Sequence, residues 1–139
     1  MKNWEKGSEA MVAVNAIFAG FSGALVAIMI ATEEKCAWTQ TSITLGLVSV
    51  ILFALAAERI TDALDESRVN IYLCSMLIYN IAVVLLFFSV ALFLFSHGWH
   101  IPSVVLALGT LYPWLIHICW FLFCKGKRKE YIDKICKEA

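Results

Sequence analysis

Residues 10–32 read AMVAVNAIFAGFSGALVAIMIAT, an apolar run that ends in Glu33-Glu34. A hydrocarbon core of about 30 Å is crossed by roughly 20 helical residues, so the run has the length of a membrane span. Its composition is unusual for a helix that faces lipid. It carries Ala13, Ala16, Ala19, Gly20, Ser22, Gly23, Ala24 and Ala27, with an amide at Asn15. Side chains this small let helix backbones approach closely, which places this helix at the centre of an assembly.

Polar residues in and beside the run keep a regular spacing. Ser8, Asn15, Ser22 and Met29 recur every seven residues, with Val12, Ala19, Val26 and Glu33 between them, so one helical face carries them all. Two uses fit such a face. Around an axis shared by several copies it lines a lumen: Asn15, Ala19 and Ser22 inside, Val26 and Met29 as an apolar constriction, and Glu33 as a carboxylate ring at the outer mouth. Against another helix it is a packing seam, with Asn15 and Ser22 hydrogen-bonded across it.

Outward from this run, composition supports the membrane reading. Hydrophobic residues make up 61% of the 139 and charged residues only 16%, and mean hydropathy is +0.79, which a soluble core of this size does not require. The basic start at Lys2 and Lys6 resembles that of a signal peptide. The run that follows is longer than the roughly 7–15 residues of a signal h-region, so it is expected to be retained. The expected fold is all-α: one membrane domain with four transmembrane helices, over about 10–32, 41–60, 69–95 and 101–124, followed by a basic cytoplasmic helix over 125–139. Alternating strands of barrel type are absent from the pattern.

Ten of the eleven Lys and Arg residues fall on one side of that arrangement, with only Lys35 on the other. The positive-inside rule then puts both termini in the cytoplasm, in a plasma or bacterial inner membrane. The basic tail suits anionic lipid, and nothing in the pattern suggests nucleic acid.

Individual residues have functional and plain readings. Glu33 and Glu34 at an outer mouth suit a hard, oxygen-seeking cation such as calcium, though a polar loop that stops the helix accounts for them equally. Glu58, Asp62, Asp65 and Glu66 do not match an EF-hand loop. Asn80 within the third span needs a partner, most simply another helix. His97 and His100 read as surface histidines, while His117 lies at membrane depth, where a hydrogen bond to another helix would hold it. Pro113 should kink the fourth helix and act as a hinge for the tail. The five cysteines contain no CxxC pair. No nucleophile, base and orienting group can be assembled, so no enzymatic activity and no resident cofactor are expected; a cation enters only as the permeant ion.

The plan of the chain resembles the Orai family of calcium channels. The likeness lies in four spans with both ends inside, the small-residue patch Ala19-Gly20-Phe21-Ser22 ahead of an outer glutamate, and a proline-bearing fourth helix leading into a cytoplasmic helix. The glutamate here stands more than a turn further from the Gly-Phe pair than in that family, and the first helix lacks the family's dense basic inner end. The resemblance implies a pore lined by the first helix, Glu33 or Glu34 as selectivity filter, and Val26 in the gate. The leading functional expectation is an oligomeric, cation-conducting channel, homo-oligomeric because four short helices cannot enclose a sizeable pore. The alternatives are a non-conducting adaptor, scaffold or sensor subunit, and a triggered effector that depolarises the membrane.

Overall fold

The computed structural model describes the backbone of residues 3–32, 36–66 and 69–123, and their side chains except 3–6, 65, 66, 69, 70, 113 and 116–123. Glu33, Glu34 and the basic tail 125–139 lie outside the described residues, as do the side chains of Pro113 and His117. Four helices account for nearly all that is described: α1 (Asn3–Ala31), α2 (Ala37–Glu66), α3 (Val69–Ser96) and α4 (His100–Phe123). Three are long and apolar enough to cross a membrane, over Gly7–Ala31, Ala37–Leu64 and Ile71–Ser96. α4 carries a shorter apolar stretch, His100–Tyr112, and continues as helix through Pro113.

α2 begins earlier than the expected span 41–60 and continues past it to Glu66, as the helical spacing of Ile60 and Leu64 predicts. Its polar flanks do not break it because their hydroxyls turn back on the helix. Thr41, Thr44 and Thr61 each donate to the carbonyl four residues earlier, at Ala37, Gln40 and Ala57. At 1.5 Å per residue the helix is about 45 Å long, roughly 15 Å more than the hydrocarbon needs. The projecting end carries Arg59 and Asp62, 4.0 Å apart and well exposed, an ion pair that contributes little.

The turn from α3 to α4 is set by backbone geometry. Gly98 sits at φ +80°, the left-handed conformation that ends a helix. The Trp99 N–H donates to the Leu94 carbonyl at 2.9 Å and the Gly98 N–H to the Phe95 carbonyl at 3.1 Å. These are the two bonds of a Schellman cap, and they satisfy carbonyls the helix end would otherwise leave open. Pro102 falls in the first turn of α4, where its missing N–H is not needed.

The helices lie in chain order. α2 packs along both α1 and α3, α4 rests on α3, and α1 meets α3 only locally. The buried face of α2 explains its central place: Thr39, Ser42, Gly46, Ser49, Phe53, Ala56, Ile60 and Ala63 alternate steps of three and four, and all are buried. This is heptad spacing, which keeps one face of a long helix on its neighbours. Most of these residues are small. In a bilayer, where lipid is as apolar as leucine, such close packing and interhelical hydrogen bonds hold helices together in place of the hydrophobic effect.

Candidate functional site

The polar face of α1 points into the chain. Ser8, Asn15 and Ser22 are fully buried, Val26 and Met29 nearly so, and Ala19 is partly buried against the Phe53, Ala82 and Leu86 core. Of the residues expected to line a lumen, every one that is described therefore packs inside a single chain. Glu33, with Glu34, falls outside the described residues.

Two of the polar side chains donate within α1 itself. Asn15 Nδ2 donates to the Met11 carbonyl at 2.8 Å, and Ser22 Oγ to the Phe18 carbonyl at 2.6 Å. Both are back-bonds to the preceding turn, not bonds across the seam. Asn15 Oδ1 is buried without a hydrogen-bond partner. Next to this level in α1, Phe18 stacks on Phe53 with ring centroids 5.4 Å apart, and Tyr79 meets both rings edge-on at 6.0 and 5.8 Å. These three rings, one from each helix, fill the space between α1, α2 and α3.

Towards the C-terminal end of α1 the contact becomes closer and more polar. Ser42 Oγ donates to the Ser89 carbonyl at 2.6 Å, and Ser89 Oγ donates to the Ser42 carbonyl at 2.7 Å. The pair clasps α2 to α3 reciprocally. Met29 of α1 lays its thioether against the same pair, with Sδ 3.4 Å from Ser42 Oγ and 3.8 Å from Ser89 Oγ. One turn along α2, a Cβ added at Gly46 would stand 2.6 Å from Val26 Cγ2 and 3.1 Å from Ser89 Oγ. Only glycine lets α1, α2 and α3 meet here. At the helix ends Thr39 Oγ1 donates to Ser96 Oγ at 3.2 Å.

Of the two histidines at the α3–α4 turn, His100 is exposed and His97 half-buried. His97 Nδ1 lies 3.0 Å from Ser96 Oγ and 2.9 Å from the Phe93 carbonyl, while the His100 ring rests on Phe95 at 4.8 Å. Among the described residues no three His, Cys, Asp or Glu side chains gather in a metal-binding group.

A second feature lies on the far side of α3. A cleft of about 400 Å³ opens between α3 and α4, walled mainly by Val83, Val84, Phe87, Val105 and Leu106, with Asn80 and Thr110 as polar members. The sequence places Asn80 at membrane depth without connecting it to α4, and reading α1 alone does not single out Ser42, Gly46 and Ser89. Their signal is the three-and-four spacing of small residues along α2 and the seven-residue step Ser75, Ala82, Ser89, Ser96 in α3. No protein-family model, no curated protein and no solved structure matches this chain.

Proposed function

We propose that this chain is a non-conducting subunit of the membrane, an adaptor or scaffold that works through helix–helix association. The observation that carries this reading is the burial of the α1 polar stripe within one chain. Once Asn15, Ser22, Val26 and Met29 are packed against the neighbouring helices, what α1 presents outward is apolar: Ile17, Phe21 and Ile28 are 68%, 56% and 59% exposed. A water-filled lumen needs polar groups or backbone carbonyls along its wall, and this face offers neither. Interior hydroxyls bonded to backbone carbonyls, together with a filled aromatic layer, suit a static packing body.

One observation favours the other reading, a cation pore lined by α1. Asn15 Oδ1 is a buried acceptor with no donor, a group that a cation or a water molecule would satisfy. In that reading α1 parts from α2 on a trigger, the stripe from Asn15 to Met29 becomes the wall, and Glu33 and Glu34 draw calcium or another cation to the mouth.

Ion flux into liposomes carrying the purified protein separates the two. The scaffold reading expects wild type and Glu33→Gln alike to stay at the leak of protein-free vesicles under sodium, potassium and calcium gradients. Cation-selective flux that changes with Glu33→Gln overturns it in favour of the pore.

A further inference from the structure

We propose that the cleft between α3 and α4, with the Asn80 amide at its edge, is the surface on which a second copy of this chain docks. The inference rests on the association reading above and names the face that would serve it.

Asn80 is the reason. It lies within the span Ile71–Ser96, about 5 Å from the middle at 1.5 Å per residue, and its side chain is exposed. Among the described residues it makes no hydrogen bond. The contrast with Asn15 is informative, since that amide is buried and bonded to the preceding turn. An asparagine side chain is too short to reach either interface from this depth, so its two donors and one acceptor stand in hydrocarbon. Leaving them there costs free energy that a lipid tail cannot offset.

The other wall of the cleft adds a second polar group. Gly109 lines it, and the residue four positions later is Pro113, which has no N–H to give the Gly109 carbonyl. One cleft thus holds an amide without a partner, among apolar walls from Val84, Phe87 and Val105, and borders the turn of α4 whose Gly109 carbonyl lacks its helical donor.

A second copy supplies what the amide lacks. Copies inserted with the same topology are related by an axis along the membrane normal, so each residue meets its counterpart at the same depth. An amide is self-complementary and pairs with the partner's amide through donor and acceptor at once. The cleft gives room for apolar side chains of the neighbour, and α4 offers Val104, Val105, Leu108 and Leu115, all well exposed. A lipid tail would fill the same space but leave every polar group unpaired.

The test is energy transfer between donor- and acceptor-labelled copies of the full chain in liposomes, over a range of protein-to-lipid ratios. Wild type should associate, Asn80→Leu should weaken association about tenfold, and Asn80→Gln, which keeps the amide, should stay within about threefold of wild type. Gly109→Leu should weaken it about tenfold as well, by filling the cleft. A Cβ at Gly109 meets nothing within 4 Å in its own chain, so the root of the new side chain is accommodated and its remaining atoms enter the cleft. Helix content by circular dichroism serves as the folding control. Asn80→Leu associating like wild type overturns the proposal, and so does wild type that stays monomeric at every ratio. A monomer that co-purifies with phospholipid and loses it on Asn80→Leu also overturns it, making the cleft a lipid site. Flux in the same liposomes would defeat the scaffold reading and leave the Asn80 comparison readable on its own terms.

Discussion

Gly46 shows how much of this fold depends on a missing side chain. Val26 from α1 and Ser89 from α3 both close on it, and Val26 is β-branched and cannot swing its methyl aside without a rotamer change. Gly46→Ala should therefore cost about 1–3 kcal/mol, as overpacking does, although alanine is the better helix former. Unfolding of the detergent-solubilised protein, followed by circular dichroism, reads that loss; a gain would mean that the three helices are looser than the geometry requires. Asn15 is the opposite case, a polar residue the seam does not use fully. Its Oδ1 has no partner, so Asn15→Leu should leave stability within about 1 kcal/mol of wild type or raise it, because removing an unsatisfied buried acceptor offsets the lost back-bond. A loss well beyond that would show that Oδ1 is held by a bound water or ion, which is what the pore reading needs.

Among the elements, α2 and α4 stand at opposite ends of a range. α2 is held on two sides, by the serine clasp to α3 and by the small seam to α1, and its inward face is buried from Thr39 to Ala63. α4 rests on α3 and is held near its start by Ser103, whose buried hydroxyl donates to the Ala91 carbonyl at 2.7 Å. Ser103→Leu puts a larger side chain into that contact and removes the bond. It should loosen α4 while α1–α3 stay packed, seen as faster amide hydrogen exchange confined to α4. Exchange that rises equally in all four helices would mean that α4 is part of one cooperative unit. The inward face of α2 is legible in the chain itself, as small residues at steps of three and four. It is a fainter signal than the amide and clustered glycines of α1, because serines and a single glycine also occur on helix faces that meet nothing.

For the whole molecule the question is whether the centre of the assembly lies within a chain or between chains. Packing the α1 stripe inside one chain puts it within, with Val26 beside Gly46 as a structural contact. Val26→Ala is then expected to lower stability by about 1.5–3 kcal/mol, the effect of removing two buried carbon groups, with no rise in ion leak from liposomes that carry it. A gate residue behaves in the opposite way, leaking when trimmed while the fold stays firm.

Sequence by itself determined that the described chain is all-helical, with four helices of which three are long and apolar enough to cross a membrane, because apolar runs of spanning length bounded by charge leave no other way to satisfy a backbone in lipid. It also identified the face of α1 that matters, since Ser8, Asn15, Ser22 and Met29 are buried together. What that face meets was left open, because small and polar residues at heptad spacing serve a lumen and a seam alike. Only the tertiary structure decided that its neighbours in the chain are Gly46, Ser42 and Ser89. The physical reason is that helix contacts in a bilayer depend on how closely two surfaces fit, and fit belongs to a pair of helices.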